Sequence, residues 1–328
     1  LDEVNGTATI TLNATNGDQT VAGTIESQTT AGEGTIAVID DDANAAPDAI
    51  TFSGQIGSTQ VGALTVGNST QGGSAIFTST SGVNIGTLTV TGGDNAAEDS
   101  AAEFPDSLTA TSVTLDDNTG TATMTFNATN GAQTIAGTID GGAAGEGTLA
   151  VKDDDDGAAA QAATFSGNIG ATNNLLALNI GTVGGADDPS SAVFNGTTSA
   201  TTITLTAGDA ANETGLATFN GNVVATTINI IGGGNGTADA TASFATDVSA
   251  TTIKLDDVTG QGTMKATGSV AQTIAASIQG TTDTDGTLQN SNTAAVVTFT
   301  GIIGNGGTND VGLIALDANT STTFSSAV

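Results

Sequence analysis

Cysteine, histidine, tryptophan, tyrosine and arginine are all missing from this 328-residue chain. Without cysteine there is no disulfide, no thiol nucleophile and no Cys-ligated metal site. Without histidine or arginine, no side chain stands ready to shuttle a proton near neutrality or to neutralise a uronate. Without tryptophan or tyrosine, no ring with a polar edge is available to stack on a sugar. Aromatics make up 3% of residues, all of them phenylalanine. No uninterrupted apolar run is long enough to span a bilayer, and no basic segment followed by an apolar run marks a signal peptide.

Positive charge is nearly absent too. Lys152, Lys254 and Lys265 face 34 acidic residues, for a formal net charge of −31. Phosphate backbones are bound by clustered cations, so a nucleic-acid partner is excluded. Anionic membrane surfaces should repel the chain, and no membrane insertion by this segment is expected. The charge suits divalent cations, salty surroundings and high solubility.

What is present is a beat. Ala200-Thr201-Thr202-Ile203-Thr204-Leu205 returns as Ala225-Thr226-Thr227-Ile228-Asn229-Ile230 and as Ala250-Thr251-Thr252-Ile253-Lys254-Leu255. Phenylalanine keeps the same time: 77 − 52 = 25, 219 − 194 = 25, 244 − 219 = 25 and 324 − 299 = 25. Slower steps, 104 − 77 = 27 and 194 − 165 = 29, place their extra residues in loops. Hydrophobic residues make up 37% and alternate at fixed intervals, which favours order over the disorder that a Gly-, Thr- and Asp-rich composition suggests. A fixed short period of strand-like sequence means one supersecondary unit stacked on itself.

The expected fold is all-β: a parallel β-solenoid of about 25 residues per coil, a right-handed β-helix of roughly triangular section. Roughly 13 coils stacked at about 4.8 Å would give a rod of about 60 Å. An antiparallel sandwich also uses many short strands, but does not require a constant spacing between like strands. Alternation should turn Ile203 and Leu205 inward and Thr202, Thr204 and Thr206 outward. Stacking should then build three inner ladders. One holds Phe52, Phe77, Phe165, Phe194, Phe219, Phe244, Phe299 and Phe324. The second holds Ile203, Ile228 and Ile253, and the third Leu205, Ile230 and Leu255. Glycine and asparagine at corners, as in Gly232 to Gly236 and Asn130-Gly131, should supply turns with positive φ.

A longer repeat overlies the short one. Leu1-Asp2-Glu3, Leu115-Asp116-Asp117 and Leu255-Asp256-Asp257 open similar passages, dividing one continuous solenoid into blocks 1–114, 115–254 and 255–328. Block starts lie 114 and 140 residues apart, and 140 − 114 = 26, close to one coil. The chain starts and stops inside repeats, so it reads as a window from a longer repeat protein.

Few signals carry chemistry. Asp40-Asp41-Asp42 and Asp153-Asp154-Asp155-Asp156 occupy equivalent places and could hold Ca²⁺ through hard oxygen ligands. The third block has Gln289-Asn290-Ser291-Asn292 there, so a solvated acidic corner is the competing reading. Asp116-Asp117 and Asp256-Asp257 are weaker candidates of the same kind. Gly233-Gly234-Asn235-Gly236-Thr237-Ala238-Asp239 approaches a calcium-binding nonapeptide, but its aspartate falls one place late, and an ordinary turn fits better. Thr-x-Thr strands raise ordering of water, yet the stacked position reads Thr204, Asn229, Lys254 and breaks the array. Carboxylate pairs raise glycoside cleavage, but no constellation of catalytic roles can be assembled, so no enzyme is expected. Asn13, Asn127 and Asn195 head Asn-x-Thr sequons, which an Asn- and Thr-rich chain generates readily.

The Thr-Phe-Ser-Gly-x-Ile-Gly passages at Thr51 to Gly57 and Thr164 to Gly170 resemble passenger regions of autotransporter surface proteins. The chain as a whole is similar to repeat regions of S-layer proteins and giant secreted adhesins. The resemblance implies secretion, exposure at the cell surface and a scaffold role. The functional expectation is a structural shaft of an extracellular fibre, filament or layer, joined to its own kind or to its own continuation. An adhesin stalk that binds a receptor or glycan, stiffened by Ca²⁺, is the alternative, and a polysaccharide-cleaving β-helix the remote one.

Overall fold

The computed structural model describes residues 1–2, 7–14, 17–28, 30–40, 47–127, 132–152, 161–181, 190–209, 211–282, 284–304, 309–318 and 320–328. The chain is an all-β parallel solenoid, and it divides into two compact units. The first comprises 1–150 and 169–176, the second 151–168 and 177–328.

Strands alternate between two sheets in each unit, because each coil contributes two hydrogen-bonded strands. In the first unit one sheet runs β1 (Thr9–Asn13), β3 (Glu33–Ile39), β5 (Ile56–Val66), β7 (Val83–Thr91), β9 (Leu108–Asp116) and β11 (Gln133–Gly141). The other runs β2 (Gln19–Val21), β4 (Ala49–Phe52), β6 (Gly73–Phe77), β8 (Ser100–Phe104) and β10 (Ala122–Asn127). β12 (Glu146–Lys152) and β14 (Leu175–Ile180) have residues in both units.

In the second unit one sheet runs β13 (Gln161–Phe165), β15 (Ser190–Phe194), β17 (Gly215–Phe219), β19 (Ala240–Phe244), β21 (Gly262–Ala266), β23 (Asp285–Asn290) and β25 (Val311–Leu316). The other runs β16 (Thr198–Thr206), β18 (Val223–Ile231), β20 (Val248–Asp256), β22 (Gln272–Gly280), β24 (Val296–Phe299) and β26 (Ser321–Phe324).

The long strands turn a corner. In Val223–Ile231 the inward residues are Val223, Ile228 and Ile230, while Thr226 and Thr227 both turn outward and break the alternation. Pairing skips the same place: Ala200, Ala225 and Ala250 align, then Thr202, Thr227 and Thr252, with Thr201, Thr226 and Thr251 between. Each coil of this kind therefore has three straight segments made from two strands.

Like residues stack on like because parallel pairing is in register. Phe165, Phe194, Phe219 and Phe244 lie face to face with centroids 4.9, 4.9 and 5.1 Å apart. That is the strand-to-strand spacing, so the sheet itself sets the stacking distance. Phe52, Phe77, Phe104 and Phe126 form the corresponding run in the first unit, at 5.0, 4.8 and 5.5 Å. Phe299 stacks on Phe324 at 5.5 Å, but Phe324 is only half-buried. Ile203, Ile228 and Ile253 align, as do Leu205, Ile230 and Leu255, and all six are buried; Thr206, expected outside, is buried as well, because the strand ends there at a corner.

The Phe run of the second unit stops at the opening of the third block, where β21 sets Ala266 beneath Phe244; at the opening of the second block, β10 still places Phe126 on Phe104. Within the second unit the two strand types then exchange sheets. The sheet of Phe strands β13 to β19 continues through β21 and β23 into β25. The sheet of long strands β16 to β20 continues through β22 into the Phe strands β24 and β26. The exchange follows from parity. Among the described residues eleven strands, β10 to β20, separate one block opening from the next, and an odd count carries each motif to the opposite sheet.

One expectation about glycine is corrected. None of Gly232, Gly233, Gly234 and Gly236 has a positive φ. Two of them are needed for close approach: a Cβ on Gly232 would overlap the Gly260 carbonyl oxygen, and one on Gly233 that of Gly208, whereas a Cβ on Gly236 would meet only ordinary contacts. Backbones of successive corners stack with no room for a side chain. Asn130-Gly131 lies outside the described residues.

Candidate functional site

Aspartates crowd the corners, where the chain leaves one strand and has amides without sheet partners. A carboxylate there accepts a backbone N–H and satisfies it. Asp117 uses both oxygens. Its Oδ1 accepts from Ala122 N at 2.6 Å, and its Oδ2 from Gly147 N, about a coil further on, at 2.9 Å. Asp257 repeats this with Gly262 N at 2.7 Å and Gly286 N at 2.8 Å. Gly147 and Gly286 have φ of 77° and 76°, and a Cβ on either would strike the side chain of Leu115 or Leu255. The block-opening Leu-Asp-Asp thus clamps a left-handed glycine in the next coil.

Other corners use the same device. Asp99 accepts from Thr121 N at 2.7 Å, Asp140 from Thr172 N at 2.8 Å, and Asp247 from Thr273 N at 2.7 Å. Asp239, the aspartate of the nonapeptide-like passage, accepts from Gln261 N at 2.8 Å. Asn235 Oδ1 accepts from the Thr237 amide and hydroxyl, which makes that passage a side-chain-capped turn.

Of the first acidic cluster, Asp40 alone is described. It is 4% exposed, and its Oδ2 accepts from Asp48 N at 2.7 Å. A buried carboxylate turned to the backbone differs from the solvated corner expected there. Asn292, three residues after Gln289 in the third block, is also fully buried, and its Oδ1 accepts from the amides of Ala294 and Ala295. The Asn in the third block keeps one acceptor oxygen, loses the charge, and turns the amide in place of the second oxygen into a donor to Val270 O at 2.8 Å. Asp41, Asp42, Asp153, Asp154, Asp155 and Asp156 lie outside the described residues. Among the described residues no group of three or more acids is placed to hold a metal ion.

Sequence reasoning overlooked the glutamines that begin the Gln-Thr passages. Gln133 and Gln272 are buried, and their Nε2 groups donate to Asn127 O at 3.0 Å and to Phe244 O and Thr246 O at 3.0 and 2.6 Å. Gln19 donates to Asn13 O in the same way at 3.0 Å. The recurrence of Gln-Thr after each block opening was the available signal.

The outer faces differ between the units. In the second, one outward column reads Thr204, Asn229, Lys254, Gln279, as the broken array implied. In the first, two adjacent columns cross β1 to β11. They read Thr9, Thr35, Ala63, Thr87, Ser112, Thr138 and Thr11, Ala37, Thr65, Thr89, Thr114, Asp140. Only the last position is charged. The steps 89 − 65 = 24 and 114 − 89 = 25 held the signal for this face.

The hydroxyl of Ser291, then the amide of Gln289 at 3.0 Å, holds the exposed Asp317 carboxyl below the usual carboxylate range, against some desolvation, with the charge of Lys265 assisting. A recess of about 470 Å³ in the second unit is lined by Ile302, Ile303, Val311, Ile314 and Val328, with Asp310 its one acid. It offers no carboxylate pair. Of the sequons, Asn127 is buried and Asn195 exposed. Among the described residues no helix is long and apolar enough to cross a membrane.

These features describe a rigid β-solenoid scaffold in which aspartates such as Asp99, Asp117, Asp247 and Asp257 hold corner amides. No family model, no curated protein and no solved structure matches this chain.

Proposed function

We propose that this chain is a secreted structural element, a solenoid shaft in a cell-surface or extracellular fibre, filament or layer, acting through length and stiffness rather than catalysis. The observation that carries the reading is the contrast between inside and outside. Ile203, Ile228 and Ile253 repeat without change on the inner side of β16, β18 and β20, while Thr204, Asn229 and Lys254 vary freely outside. Stacked coils require the inner residues to repeat, whereas this outward column drifts beside the Thr202, Thr227 and Thr252 column, which stays threonine. The acidic, cation-poor surface and the likeness to autotransporter passengers, S-layer repeats and giant adhesins support an extracellular setting. Self-association, or continuation of the same solenoid, would cover the edges of terminal coils.

Antibody labelling of intact source cells tests the location; labelling only after lysis overturns it. Analytical ultracentrifugation over a range of concentrations tests self-association. Incubation with a panel of polysaccharides should release no new reducing ends, and their appearance would establish an enzyme. Binding on a glycan array, or a Ca²⁺-dependent rise in melting temperature, would move the reading to an adhesin stalk.

A further inference from the structure

We draw no further inference here: the strongest candidate, the nearly uncharged Thr, Ser and Ala outer face of the β1-β3-β5-β7-β9-β11 sheet, is an array of small residues, and nothing in the structure shows what covers it.

Discussion

Removing one coil from the second unit should leave a folded protein, and removing half a coil should not. Deleting Val223 to Asp247 takes out 247 − 223 + 1 = 25 residues, namely β18, β19 and their corners. Asn222 then joins Val248. Thr198 pairs with Val223 and Val223 with Val248, so β20 lands on β16 in the register that β18 had. In the other sheet Gly262 moves onto Gly215, and Ala266 onto Phe219. Asn222 takes the place of Asp247 and can still offer Oδ1 to Thr273 N. In a solenoid, stability is approximately a sum of coil and nearest-neighbour terms. At about 0.05–0.15 kcal/mol per residue, 25 residues contribute about 1–4 kcal/mol. Deleting Val223 to Gly234 instead removes 234 − 223 + 1 = 12 residues and one strand. Every later strand then changes sheets, and the Phe strand β19 falls on the long strand β16. Far-UV circular dichroism in urea is the assay, since the chain has no tryptophan or tyrosine to report by fluorescence. The expected result is a cooperative transition for the coil deletion and loss of structure for the half-coil deletion. Equal stability of the two variants would refute the alternation of strands as the organising rule.

Three further outcomes follow from single residues. Phe219→Ala should cost about 3–5 kcal/mol in urea unfolding, because Phe219 is buried between two rings, whereas Phe324→Ala should cost clearly less at a half-buried site with one ring neighbour. Asp257→Ala strands the amides of Gly262 and Gly286 and should cost about 2 kcal/mol; Asp257→Asn, which keeps one acceptor oxygen, should fall between it and the parent by the same measurement. Because the folded-state value of Asp317 is lowered, its contribution to stability is present above the unfolded carboxylate value and is lost as pH falls through the folded one. A carboxyl NMR titration should place Asp317 below an ordinary aspartate and shift it upward in Ser291→Ala; an unmoved midpoint would show that the Ser291 hydroxyl is not the cause.

The polar chemistry of the corners was the least legible part of the chain. Aspartates in a −31 background read equally as solvated charge or as oxygen ligands for Ca²⁺. Composition cannot show that Asp117 and Asp257 each meet two amides, one of them about a coil away, because those amides converge only after the coils stack. Gly232 and Gly233 misled for a related reason. A glycine is demanded by a positive φ or by a backbone passing close by, and only the stacked neighbour at Gly260 or Gly208 distinguishes the two.

By itself the sequence determined the class of fold, the coil length and the alignment of like residues in neighbouring coils, though not that the phenylalanines would fall into separate runs on opposite sheets. Strand side chains alternate with period two, and equal spacing of Ile203, Ile228 and Ile253 leaves one parallel register that buries all three. Tertiary structure alone decided how many strands each block holds and therefore which sheet a motif joins. It also admitted Phe104 and Phe126 to one stack although the steps 104 − 77 = 27 and 126 − 104 = 22 depart from the beat. Loops absorb such differences at little energetic cost, whereas the inter-strand hydrogen bonds do not. Spacing along the chain is therefore a loose guide, and the hydrogen-bonded register sets which side chains meet.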